Sequence, residues 1–260
     1  MELTYASYLR LDDLLDLQEQ RSEPAEHDEL LFIVVHQASE LWLKQLLAEL
    51  DKIGGDLSDN HLFRVISSFR RANRIVRVLI DQLDVLETMT PLSFHRFRDR
   101  LDTSSGFQSM QFRQLEFLLG LKRADILDHY PVDLAGRDDA ERRLREPSIP
   151  DHFYDFLEQR GVEIPVDVRA RDVTRPNVAD ERVQAGLFDL YRFDGSYTML
   201  FEVMIDLDAA LQEWRYRHIK IVERTIGDKM GTGGSLGVEF LKRSLFSRAF
   251  PDLWAIRARF

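Results

Sequence analysis

Apolar residues recur at intervals of three and four along most of this chain, which is the period of one helical face. The longest such stretch opens at Glu29 and runs to Ile53, with Leu31, Val35, Ala38, Trp42, Gln45 and Ala48 or Leu46 at that spacing. Its first half, LLFIVV, would also suit a buried strand. The period continues through HQASELWLKQLLAELDKI, so a long helix is predicted, closed by Gly54 and Gly55. Asn60 to Thr88 repeats the pattern with Leu62, Val65, Ile66, Phe69, Ala72, Ile75, Val76 and Leu79, and its arginines 64, 70, 71, 74 and 77 fall mainly off the stripe, where a solvated face or an oligomer contact is expected. A third long helix is predicted over Ser196 to Arg224. There Leu207, Leu211, Trp214, His218, Ile221, Val222 and Thr225 share one side, and Arg217, Lys220 and Arg224 the other.

Shorter elements fill the intervals. Thr4 to Glu19 reads as a short amphipathic helix with an aromatic head, Tyr5 and Tyr8, followed by the polar break RSEPAEHD. Helices are predicted over Ser93 to Leu101, Phe107 to Leu121, Val178 to Gly195 and Val238 to Phe250, with a turn at DTSSG. Residues 125–180 form an irregular excursion of helical pieces punctuated by prolines, and Asp155 to Asn177 reads as loop. No alternation of strand and helix marks a parallel sheet, and no fixed-period repeat is visible. The pattern predicts an all-α chain, residues 1–260 forming one domain.

Composition narrows the function. The 44% hydrophobic and 31% charged residues suit an ordinary soluble globular protein, which gives a cytoplasmic expectation because the N-terminus lacks a signal pattern and no segment has a membrane span's run of apolar residues. A net charge of −10 argues against nucleic acid or an anionic membrane as a general partner. With no cysteine, disulfides, thiolate nucleophiles, zinc ribbons, iron–sulfur clusters and covalently attached haem are excluded. Any metal falls to His, Asp, Glu or a cofactor bound without a covalent link.

Seven histidines remain as candidates, and none forms H-E-x-x-H. His27 precedes Asp28 and Glu29, half of a facial iron triad, but that site needs β-barrel strands; the plainer reading is a polar residue at a helix N-terminus. His218 lies on an apolar stripe, where an imidazole is either a satisfied core residue or a ligand. His36 sits on a helix apolar nearly all round, one turn after Phe32, and a buried imidazole needs a partner there. It is either bonded to a nearby carbonyl or set in a pocket. Arg98, beside the small-residue turn at 102–106, suits a bidentate grip on a carboxylate. The loop GTGGSLG at 231–237 lacks the G-K-[ST] ending of a phosphate loop and follows a helix, which leaves a ligand-contacting loop or a plain turn, with Thr232 the hydroxyl on offer.

Several segments, in order along the chain, are similar to one family. HDELLFIVVHQASELWLKQLLAEL, PLSFHRFRDRLDTSSGFQSMQFRQLEFLLG and EWRYRHIKIVERTIGDKMGTGGSLGVEFL with FPDLW after it resemble the tryptophan 2,3-dioxygenases, and TYASYLRLDDLL fits the same pattern. The resemblance implies a helical bundle that binds haem b without a covalent link, takes L-tryptophan and O2, and assembles as a homotetramer, a dimer of dimers. It implies that His218 is the axial iron ligand, with Trp214, Ser104, Ser105 and Gly106 also on the cofactor. His36 would accept the indole N–H, Phe32 pack on the indole, Phe94 line the pocket, Arg98 hold the substrate carboxylate, and Thr232 contact the ammonium and carboxylate. Tyr5, Tyr8 and Leu9 would reach the neighbouring subunit's site, residues 1–20 forming that contact. Some relatives carry tyrosine where Phe94 stands, and many read serine where Leu236 stands.

The reaction so implied opens the indole C2–C3 bond to give N-formyl-L-kynurenine, the first step of tryptophan degradation. Two other expectations are kept: a haem monooxygenase forming an oxindole from tryptophan or a substituted analogue, and a catalytically silent helical or haem-binding module. A site of histidine, arginine and hydroxyls, without paired carboxylates, agrees with chemistry in which the protein orients and the cofactor reacts.

Overall fold

The computed structural model describes residues 3–227, 229 and 238–260, which are helical wherever they are regular; no strand occurs among them. The N-terminal segment makes two helices instead of the single one expected, α1 (Tyr5–Leu9) and α2 (Leu11–Leu15), because Arg10 turns left-handed at φ 52° and interrupts the first. Thr4 caps α1 through a reciprocal pair with Ser7. Neither helix buries a single residue.

The ambiguous LLFIVV lies in α3 (His27–Ser58), which starts at His27 with Asp28 and Glu29 in its first, electropositive turn. Gly54 and Gly55 do not end it. Gly54 is instead a site of close approach, since a β-carbon there would lie 3.2 Å from the His152 ring. After α4 (Leu62–Leu86) come α5 (Pro91–Arg98), α6 (Met110–Leu118), α7 (Arg137–Arg145), α8 (Ile149–Glu158), α9 (Val166–Arg169), α10 (Glu181–Phe193) and α11 (Gly195–Ile226). Proline at the start of α5 and α8 costs nothing where the N–H has no helical partner. Residues 155–177 are less loop-like than expected, since they contain the end of α8 and all of α9. The last predicted helix is shorter than its pattern: α12 covers Val238–Lys242 only, and α13 spans Pro251–Ala255.

Helices α3, α4 and α11 pack together as the centre of the bundle, with α8 and α6 against α3 and α10 against α11. Their apolar stripes meet in one large core that includes Leu46, Leu50, Phe69, Val76, Phe201 and Leu207, all but sealed from water. A smaller core joins Val35, Leu83, Leu86, Met89, Phe94, Phe97 and Ile221 at one end of the bundle. The arginines of α4 serve partly as ties: Arg71 pairs with Glu49 of α3 at 3.1 Å and Arg77 with Glu213 of α11. Among the described residues no helix is long and apolar enough to cross a membrane.

Helix α11 also grips the C-terminal segment. The buried Asp208 carboxylate accepts from the Ala249 N–H at 3.0 Å, the Phe250 N–H at 3.3 Å and the Trp254 indole N–H at 2.8 Å. Each is a hydrogen bond to a charged acceptor shielded from water, and losing the acceptor strands buried donors. Asp208→Ala should therefore cost about 3 kcal/mol or more of stability, read from the midpoint of denaturant unfolding. An unchanged midpoint would show that the clamp adds nothing.

Candidate active site

A cavity of about 270 Å³ opens between α3, α5, α6 and α11, walled largely by apolar side chains of the smaller core. Most of the residues picked out by sequence meet there. Phe32 and His36 come from α3, Phe94 and Arg98 from α5, Ser104, Ser105 and Gly106 from the turn that follows, and Trp214 and His218 from α11. Thr232 and Leu236 lie outside the described residues. Tyr5, Tyr8 and Leu9 are not brought to this cavity; on α1 the two tyrosines are 76% and 70% exposed, so within one chain they touch no site.

The helical period explains the convergence on α3: positions 32 and 36 are one turn apart and face the same way. Their rings lie 4.1 Å apart, and Phe32 also touches Phe94 at 5.8 Å and Phe97 at 5.6 Å, giving the cavity an aromatic wall. The His36 Nδ1 lies 2.7 Å from the Phe32 carbonyl oxygen. A carbonyl can only accept, so Nδ1 carries the proton and donates it, and Nε2 keeps its lone pair as an acceptor. Burial pushes the His36 pKa down, outweighing the carbonyl bond and the nearby Glu40 that favour the cation. Both sequence readings thus hold at once: His36 is bonded to a carbonyl and faces a pocket.

His218 is also held neutral. Its pKa falls from the ordinary 6.5 to about 4, chiefly through burial, then through the neighbouring His36 and Arg113. It lines the cavity and, among the described residues, no group hydrogen-bonds to its ring. Its visible company is Trp214, stacked on it at 5.0 Å. Held neutral at the cavity wall, this ring has a lone pair to offer to whatever fills the cavity.

Sequence reasoning missed the polar end of the same cavity. Arg113 and Glu116 of α6, Arg123 and Arg215 of α11 all line it. Burial pushes the Glu116 pKa up, but Arg113, Arg215 and Arg123 together outweigh that and hold it below its ordinary value. Arg113 lies 2.5 Å from Glu116, Arg123 3.2 Å and Arg215 3.4 Å. Only the i, i+3 spacing of Arg113 and Glu116 was visible in the sequence; Arg215 is distant along the chain.

The residues fit a haem group on their own chemistry. A largely apolar chamber lined by a neutral imidazole with no hydrogen-bond partner among the described residues, and by the rings of Phe32 and Phe94, offers a nitrogen ligand to iron and flat surfaces to a macrocycle. Among the described residues no cluster of three or more His, Asp or Glu is placed to hold a bare metal ion, which removes the facial-triad reading of His27.

Fold and cavity together describe an all-helical protein with two histidines of lowered pKa facing one cavity. The sequence model of the family described as tryptophan 2,3-dioxygenase matches residues 1–131 and 189–260. A tryptophan 2,3-dioxygenase of Herpetosiphon aurantiacus is 51% identical over 98% of this chain and 98% of its own. Those of Anaeromyxobacter dehalogenans and Bacillus thuringiensis are 47% and 41% identical, over 98% and 99% of this chain and 95% and 92% of theirs. The chain belongs to the tryptophan 2,3-dioxygenase family. The family model passes over 132–188, which overlaps most of the excursion at 125–180 expected to be irregular and runs on into α10.

The depressed imidazole pKa values make a pH prediction. Both folded-state values lie below the unfolded 6.5, so between them the unfolded chain binds more protons and stability rises with pH. In ligand-free protein the contribution of these rings is therefore intact above pH 6.5 and is lost as pH falls from there toward 4. Denaturant unfolding at pH 7 and pH 5 should show the loss, and His218→Ala should reduce it; equal slopes in both proteins would mean that His218 titrates normally.

Proposed function

We propose that this chain is a haem-dependent dioxygenase that opens the indole C2–C3 bond of L-tryptophan with O2, giving N-formyl-L-kynurenine as the first step of tryptophan degradation. The observation that carries the proposal is the pair of neutral imidazoles facing one cavity, His218 with no hydrogen-bond partner among the described residues and His36 with its acceptor nitrogen left open. Residues 1–260 act as one catalytic domain, and the protein assembles as a homotetramer. The exposed α1 supports that assembly: Tyr5 and Tyr8 are largely uncovered by the described residues of their own chain, as suits residues that, with Leu9, complete a neighbour's site.

His218 would hold the iron of haem b, with Trp214 beside it and Ser104, Ser105 and Gly106 along the same cavity. Bound there, haem would supply the iron that activates O2. The chain's part is to place the indole. His36 Nε2 accepts the indole N–H, Phe32 and Phe94 press on the ring, Arg98 holds the carboxylate, and Thr232 contacts the amino-acid end. Phe94 offers no hydroxyl, so its contribution is shape alone. Apolar walls keep water from the reacting bond. Both oxygen atoms end in the product, one on each carbon of the broken bond, so the reaction consumes no external reductant and asks for no strong acid or base. The neutrality of His36 suits that role, because a protonated imidazole would donate where it must accept.

The decisive test mixes reduced, haem-loaded protein with L-tryptophan in air and follows the absorbance of N-formylkynurenine. An oxindole carrying one added oxygen would replace this reading with the monooxygenase, and absence of any turnover would favour a silent module. His218→Ala should abolish the axial-histidine Soret spectrum. His36→Ala should keep haem and impair turnover; loss of haem instead would remove its substrate role. For Arg98→Leu, loss of a charge-assisted hydrogen bond predicts a KM raised about tenfold to a hundredfold, and an unchanged KM would move the carboxylate elsewhere.

A further inference from the structure

Trp214 lies one turn before His218 on α11, and its indole is laid almost parallel to the imidazole, 13° between planes with centroids 5.0 Å apart. Phe112 of α6 meets Trp214 in turn at 4.8 Å and 32°. The Arg113 guanidinium sits 5.0 Å from the Phe112 ring and is itself tied to the buried Glu116. A column of three rings thus runs from the anchored end of the cavity to the histidine, drawn from two helices.

A metal-binding histidine is ordinarily fixed by a hydrogen bond from its second nitrogen to a carboxylate or carbonyl, which sets the ring's orientation and its donor strength. None of the described residues forms that bond with His218; the stack is the contact that meets its ring. An imidazole has one soft torsion about Cβ–Cγ, and this torsion is broad when nothing restrains it. A large, rigid indole against one face restrains it by overlap, since turning the imidazole would drive an edge into the indole plane.

We propose that Trp214 is the positioning residue of His218: the indole, backed by Phe112, fixes the rotation of the imidazole and hence the plane in which its nitrogen meets iron. This rests on the reading of His218 as axial ligand. It assigns to a stacking contact the orienting role that a hydrogen bond usually fills, and it leaves the ring a neutral donor.

The test compares haem-loaded wild type with Trp214→Phe, Trp214→Leu and Phe112→Leu by resonance Raman of the ferrous iron–histidine stretch, alongside haem transfer to apomyoglobin. Trp214→Phe keeps a stacked ring and should keep a single narrow band. Trp214→Leu should broaden or split the band and speed haem loss roughly tenfold to a hundredfold, as loss of an orienting partner does. Phe112→Leu, which leaves Trp214 in place, should fall between them and serves if Trp214→Leu does not fold. Faster haem loss with a band unchanged in position and width in both leucine variants would overturn the proposal, leaving Trp214 as cavity wall. A haem spectrum that His218→Ala leaves unaltered would overturn the ligand reading itself, and this one with it.

Discussion

An imidazole removed from water gives up its charge, and the candidate site depends on that constraint being met twice. Burial is the largest influence on both His36 and His218. Neutrality is then used differently in each: the Phe32 carbonyl takes the proton side of His36 and leaves an acceptor, whereas the His218 ring is stacked on Trp214 and has no hydrogen-bond partner among the described residues. The same low-polarity chamber would be hostile to the charges of Arg113, Arg123 and Arg215. They are tolerated because Glu116 sits among them, reached by Arg113 on its own helix, by Arg123 just beyond that helix and by Arg215 of α11. Apolar and ionic halves of one cavity therefore answer to the same dielectric.

The elements that carry the site were the most legible. Helices α3, α4 and α11 bury one face over many turns, and such a face leaves a period that a single sequence shows. The boundaries were less so. Gly54 and Gly55 have the composition of a helix end, but Gly54 is there to let His152 come close, a demand set by α8 and invisible in the local pattern. Periodicity over 238–250 suggested a long helix, while α12 stops at Lys242; the residues beyond it are held by Asp208 and Arg215, whose hydrogen bonds come from another helix altogether.

For the site itself, periodicity left each histidine with two readings, and family resemblance chose between them. Geometry adds what resemblance lacks: a tautomer for His36, a ring stack for His218, and an ionic cluster at the cavity's far end. None of these has a sequence signature, because each is made by residues on different elements whose proximity exists only after folding. Arg215 shows the point. On the helical stripe it is one cation among several, and only its burial against Glu116 and the Ser247 carbonyl separates it from Arg217, which pairs with Asp84 on the outer side.

Helix α11 is a rod of 32 residues, about 48 Å at the usual rise. Asp208 and Arg215 fasten the 247–254 segment to it, and His218 stands one turn beyond Arg215. A displacement of this rod along its axis would move the histidine and pull on the C-terminal segment, which Asp252 also ties to Tyr154 of α8 and Gln184 of α10. The C-terminal residues are thus tied to the wall of the cavity that bears His218, and because Ala249, Phe250 and Leu253 also lie in the main core, a pull on this segment reaches the site through the core as well as through Asp208 and Arg215.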